Sequence, residues 1–184
     1  MTRTTHPASA KVGGLDQQST MTTARRFGTA IWAVTRVALG FVFLWAFLDK
    51  LLGLGKATPS ERAWINGGSP TTGFLSNVEG PFSGFFGGMA GQAWADWLFM
   101  AGLLGIGVAL ILGIGMWIAA ISGTLLLTLM WLAALPLANN PFLDDHLVYG
   151  LVLLGLAATG AGLRYSLAGW WHSLPIVRQN GWLA

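Results

Sequence analysis

The sequence predicts an all-α integral membrane protein, a four-transmembrane-helix bundle with a long loop between helices 1 and 2. Three observations predict it. The 184 residues are 54% hydrophobic and only 9% charged, with a mean hydropathy of +0.61; a soluble domain carries roughly 25% charged residues. Four apolar stretches follow one another, each near the ~20 residues that cross ~30 Å of hydrocarbon. Residues 97–137 hold no charge at all. This composition argues against a soluble enzyme, a nucleic-acid binder and a disordered regulator. The net charge of +3 arises from few charges and does not describe a basic binding face. There are no cysteines, so disulfides, thiolate nucleophiles and Cys-ligated zinc are absent from the chain.

Residues 1–24 show no hydrophobic period and read as a flexible cytoplasmic tail. Arg25-Arg26 precede an apolar run too long for a signal peptide, so none is expected. The membrane domain then covers 25–165. Its first segment is expected over Phe27–Leu52, the second over Ala93–Leu112, the third over Met116–Leu137 and the fourth over Phe142–Leu163. As one helix, residues 97–137 would reach ~60 Å, twice the membrane. The chain must reverse, and Gly113-Ile114-Gly115 is the natural turn.

Loop 53–92, expected on the extracytoplasmic side, is rich in Gly and Pro and carries Trp64, Phe74, Phe82, Phe85 and Phe86. It is expected to fold onto the bundle or lie at the interface. Residues 166–184, with Trp170-Trp171-His172 and Trp182, read as an interfacial tail in contact with membrane lipids. Arg25, Arg26 and Arg36 near the first segment and Arg164 and Arg178 after the fourth place both termini in the cytoplasm. Lys50, Lys56 and Arg62 run against that rule. In the second segment Ala101, Gly105, Ala109 and Gly113 recur at four-residue spacing, answered by Gly115, Ala119 and Gly123 in the third. Such small residues are expected to face a neighbouring helix.

Ionisable groups inside a membrane are costly and each needs a reason. Arg36, Gly40, Phe43, Phe47 and Lys50 share one face of the first helix. Either Arg36 and Lys50 snorkel to opposite headgroup layers, or the face turns inward and pairs with acids. Asp144-Asp145-His146 opens the fourth helix. Capping is one reading of these aspartates. The other joins them to Asp49, Lys50 and Asp96 at the same level, in one cavity closed by the loop around Phe82–Phe86. A carboxylate–histidine group beside an apolar cavity suits proton-coupled chemistry on a lipid-soluble carrier. Tyr149, one turn further, either donates to a carbonyl oxygen or belongs to the aromatic belt. His146 and His172 lie at opposite faces, which excludes a bis-His haem within the chain, and no metal-ligand spacing, phosphate loop or nucleophile triad is present.

Arg36-Val-Ala-Leu-Gly40 through Asp49-Lys50-Leu51 resembles the opening of DoxX-like membrane proteins. Asn140-Pro141-Phe142-Leu143-Asp144-Asp145-His146 is similar to the DoxD-like membrane subunit of thiosulfate:quinone oxidoreductase. The resemblance covers Arg36 to Arg164. It implies a four-helix protein of a prokaryotic plasma membrane, linked to quinone or redox-defence complexes. Ala46-Phe47 departs from the small Ala-Gly pair often found there. The expected role is a membrane subunit of a quinone-linked redox system, with a redox partner protein or larger complex. Asp145 and His146 would accept protons, and Asp49, Lys50, Tyr149 and Arg36 would bind the substrate, with quinone the only cofactor and no metal or haem. The alternative is a non-catalytic scaffold or assembly subunit. A transporter is disfavoured because the cores of the second and third helices carry no ionisable residue.

Overall fold

The computed structural model describes residues 7–160 and 162–183, with side-chain surroundings from Thr23 onward. All regular structure among them is helical. Helix α1 covers Pro7–Leu52. Loop 53–92 holds 3-10 turns at Ser60–Arg62 and Trp64–Asn66, then two short helices, α2 (Thr72–Leu75) and α3 (Ser83–Gly87). Helices α4 (Ala93–Leu112), α5 (Met116–Ala133) and α6 (Asp145–Thr159) follow, and α7 (Ala168–Ser173) and α8 (Pro175–Gln179) end the chain. Three helical stretches are long and apolar enough to cross a membrane: Thr23–Leu52, α4 and α5.

The termini of α4 follow from the sequence as expected. Gly113 and Gly115 both adopt positive φ, 69° and 55°, which only glycine does cheaply, so α4 stops and α5 restarts within three residues. Two other boundaries differ from expectation. Residues 7–24, read as a flexible tail, are helical from Pro7 onward, because extending a nucleated helix costs far less than starting one; residues 1–6 lie outside the described residues. Helix α6 has 15 residues rather than the full Phe142–Leu163. Its start is fixed by Asp144, whose side chain accepts from the N–H groups of His146 (3.1 Å) and Leu147 (3.3 Å). Its end is fixed by Gly160 in the left-handed region. At about 22 Å it is shorter than the ~30 Å hydrocarbon layer.

Helix α1 packs along α4, α5 packs along α6, and the Gly113–Gly115 turn joins the two pairs. Leu39 and Phe43 of α1, Met100, Leu103, Ile106 and Leu110 of α4, Ala120 and Leu127 of α5, and Leu153 and Leu156 of α6 form one core. Around it Phe41, Leu98, Ile121, Leu125 and Leu151 are exposed. Large apolar side chains ringing the middle of a bundle suit a lipid solvent rather than water.

The small-residue stripe of α5 packs as expected, with Ala119 buried and a Cβ on Gly123 only 2.7 Å from Leu153 of α6, but the close crossing of α4 is not the expected one. A Cβ on Gly107 would lie 2.9 Å from the Leu44 nitrogen and 3.0 Å from the Gly40 oxygen, and one on Gly40 would lie 3.0 Å from the Gly107 oxygen. Gly40 and Gly107 therefore set the α1–α4 distance. Gly105, on the stripe expected to pack, has nothing within 4 Å of its Cβ position. Ala101, Gly105 and Ala109 instead line a shallow groove with Ala119 and Ser122 of α5. Trp171 of α7 and Leu183, in a 3-10 turn (Gly181–Leu183) after α8, close one end of this groove, tied by the Trp171 Nε1 to Leu183 carbonyl bond of 2.6 Å. Leu167 N–H donates to the Leu112 carbonyl (2.9 Å), so the tail is docked on the bundle, burying Ala168 and Val177 and exposing Trp170 and Trp182.

Candidate functional site

The helix register brings the end of α1, the start of α4, the end of α5 and the start of α6 to one end of the bundle. There a cavity of about 230 Å³ is lined by Lys50, by Trp94, Leu98 and Phe99 of α4, by Leu126, Leu129 and Met130 of α5, and by Thr71, Phe74, Phe86 and Met89 of the loop. Its walls are apolar except for Lys50 and Thr71. Lys50 Nζ stands 5.9 Å from the centre of the Phe99 ring, within cation–π range. Among the described residues Lys50 forms no ion pair. Its amine is thus a donor at the cavity with no hydrogen-bonded acceptor among the described residues, near the charge of the adjacent Asp49.

Two buried aspartates anchor loop 53–92, and Asp96 holds the part of it that lines the cavity. Asp49 accepts from the N–H groups of Lys56 (3.2 Å) and Ala57 (3.0 Å). Asp96 Oδ1 accepts from the Ser69 hydroxyl (2.9 Å), the Thr71 N–H (3.0 Å) and the Thr71 hydroxyl (2.6 Å). A buried carboxylate needs such donors to offset its lost hydration. Trp64 meets Trp97 edge-on at 4.6 Å, adding an apolar tie between loop and α4. Leu75 and Phe86 pack against Ala133 of α5, so the aromatic loop does fold onto the bundle.

The expected convergence of Asp49, Lys50, Asp145 and His146 does not form. Only Lys50 lines the cavity. The Asp49 carboxylate is engaged by loop backbone. On the other side of α5, Gly150 lies against Thr124 and Leu153 against Gly123, which puts His146 near the depth of Thr128 but outside the cavity lining. The carboxylate bound to His146 is that of Asp144, at 2.6 Å from Nδ1; Asp145 is exposed and its oxygen is 3.6 Å away. Tyr149 packs against the core and does not line the cavity. The physical reason is helix capping: the first turn of α6 keeps Asp144 beside its free N–H groups and turns His146 back onto that cap. Asp144, Asp145 and His146 do offer three donor atoms within 4.8 Å of one another, which the sequence reading passed over, yet Asp144 is already committed as cap and partner.

We expect Asp144→Ala to cost about 1 kcal/mol through loss of the cap, while Asp145→Asn leaves the thermal midpoint unchanged. Equal losses in the two variants, measured by thermal unfolding in detergent, would contradict this division.

Arg36 sits at the opposite end, fully buried, and neither snorkels nor meets an acid. Its guanidinium donates to the carbonyls of Leu110 and Ile111 (2.9 Å for the latter) and of Tyr165 (3.0 Å). These are the free carbonyls at the end of α4 and in the segment after α6. Arg36 is thus a brace joining three parts of the chain, remote from Lys50, and its Nε has no partner. Arg36→Met should lower stability by about 1–2 kcal/mol, since lost charge-assisted bonds are partly offset by sparing a buried guanidinium. An unchanged melting midpoint would refute the brace.

Sequence reasoning missed Met89, Trp94, Leu98 and Phe99 as cavity residues, because each also fits a belt or core aromatic or aliphatic. The hydroxyls of Ser69-Pro70-Thr71-Thr72 were the available signal for an Asp96 partner. No family model matches the chain, and no curated protein or solved structure matches it either. The likeness to DoxX-like proteins rests on its motifs alone.

Proposed function

We propose that this protein is a membrane subunit of a quinone-linked redox system, with the quinone head held in the Lys50 cavity. The observation that supports this most is Lys50 itself: one amine donor, in no ion pair among the described residues, in a cavity whose other walls are apolar and aromatic apart from Thr71. A quinone head is a flat apolar ring with carbonyl acceptors, and Lys50 Nζ supplies the donor that orients one of them. The Asp144–His146 pair, at the same depth across α5, is the group that would take protons released on quinol oxidation, with Asp145 beside it. The two electrons released with those protons pass from the quinol to a redox partner protein. In this reading α6 completes a fourth crossing, both termini lie in the cytoplasm of a prokaryotic plasma membrane, and loop 53–92 lies outside.

The test is gentle extraction followed by analysis of what stays bound. Stoichiometric quinone, lost in Lys50→Met, is the expected result. A second reading, a non-catalytic scaffold, draws support from the unfilled groove along Ala101, Gly105 and Ala109, a surface suited to a partner helix. A fixed protein partner with no bound quinone would favour the scaffold and end the quinone reading.

A further inference from the structure

We propose that the Lys50 cavity is loaded sideways from the bilayer, between α4 and α5, and that its ligand carries an apolar tail that remains in the lipid. This rests on the reading of the cavity as a quinone-head site and specifies how that site is reached and by what class of molecule.

Four observations carry it. First, α4 and α5 are joined tightly at Gly113–Gly115, and the cavity lies at the opposite, parted end of this hairpin, lined on one side by Ala95, Leu98 and Phe99 and on the other by Leu126, Leu129 and Met130. Second, two of its lining residues belong equally to the outer surface of a membrane-length helix: Leu98 is 68% and Trp94 55% exposed. The cavity wall and the lipid-facing surface are the same residues there, which is an opening toward lipid. Third, the loop covers the helix end of the cavity more fully than the helices close its side. Leu75 and Phe86 are buried and Phe74 is 45% exposed, against 68% for Leu98, and Asp96 holds the covering segment through three hydrogen bonds from residues 69 and 71. Fourth, about 230 Å³ falls below the ~300–1,000 Å³ of sites that enclose a whole drug-sized ligand. A ring-sized head fits, and a long tail must leave through the side.

A tail in hydrocarbon keeps its favourable solvent and leaves only the head to be desolvated and oriented. Lys50 is less exposed than Leu98 and lines the same cavity, so a head entering past Leu98 would meet its donor there. The ligand class is therefore a membrane-dissolved quinone with an alkyl or prenyl tail.

The experiment uses the full chain in phosphatidylcholine nanodiscs and a benzoquinone with a decyl tail ending in a photoactivatable diazirine. Adducts that disappear with excess unlabelled decylbenzoquinone mark the bound tail. They are expected on the outward surface of α4 and α5 around Leu98 and Leu125, and to fall at least tenfold in Lys50→Met. Leu98→Trp, an exposed position where folding should be kept, is expected to slow association of the tailed quinone about tenfold, whereas Val108→Trp, exposed on α4 away from the cavity, should not. Competed adducts on loop 53–92, or no rate effect of Leu98→Trp in a folded protein, would overturn the lateral route while leaving the quinone site intact. Absence of any competed adduct would overturn the site reading and the route together.

Discussion

Gly107→Leu is expected to prevent α1 and α4 from packing, with a loss of about 3 kcal/mol or more, at the upper end of overpacking costs. The reason is what the new side chain meets. Backbone atoms of Gly40 and Leu44 lie 2.9–3.0 Å from the Cβ position, and backbone cannot rotate aside as a side chain can. The two helices would have to separate along the α1–α4 contact, opening the core at Leu39, Phe43 and Leu103. Gly105→Leu is the control. Its side chain would enter open space, and surface changes of that kind stay within about 0.5 kcal/mol. Thermal unfolding of both variants in one detergent measures the difference. If Gly105→Leu proves the more damaging, the α4 face has been assigned wrongly.

Lys50→Met is expected to weaken binding of a tailed benzoquinone by about ten- to a hundredfold, the equivalent of one hydrogen bond from a charged donor. Met keeps the length and apolar bulk of the side chain, so the cavity stays filled to the same extent. Lys50→Arg should retain part of the affinity, because a donor remains. Calorimetric or equilibrium binding in nanodiscs gives the number. Undiminished binding in Lys50→Met would place the quinone elsewhere in the protein. His146→Phe is the informative companion. It lies outside the cavity lining, so head binding should persist, and only proton-linked turnover should fall.

The extent to which these features were legible differs from element to element. Helix α4 was readable to the residue because glycine marks its end and a charge-free run marks its body. The aromatic loop was readable as folded back, since so many large apolar side chains have little reason to be in a free loop. The placement of Asp49 and Asp96 was not. The partners of Asp49 are backbone N–H groups, which no residue type announces, and the Ser69 and Thr71 hydroxyls that meet Asp96 are visible in the sequence without being placed by it. The same is true of Arg36, whose acceptors are carbonyls of residues 110, 111 and 165. The grouping of His146 with Lys50 failed because equal depth along two helices does not fix the azimuth at which each side chain leaves its helix.

By itself the sequence determined that the chain is helical, where the α4–α5 hairpin turns, and that charge concentrates near the helix ends; of the four crossings it predicts, three have helices long and apolar enough, and the fourth is a 15-residue helix. Those properties follow from local composition and from glycine's backbone, so neighbours need not be known. Only the tertiary structure decided which face of α4 is inward. Ala101, Gly105 and Ala109 offer small residues on one face, and Gly107 offers a smooth approach on another. In lipid both faces are apolar, so hydropathy carries no preference between them. The choice falls to shape, to the fit of Gly107 against Gly40 and of Leu103 and Leu110 into the shared core. That choice in turn parts α4 from α5 around Leu98 and leaves Lys50 facing the space between them.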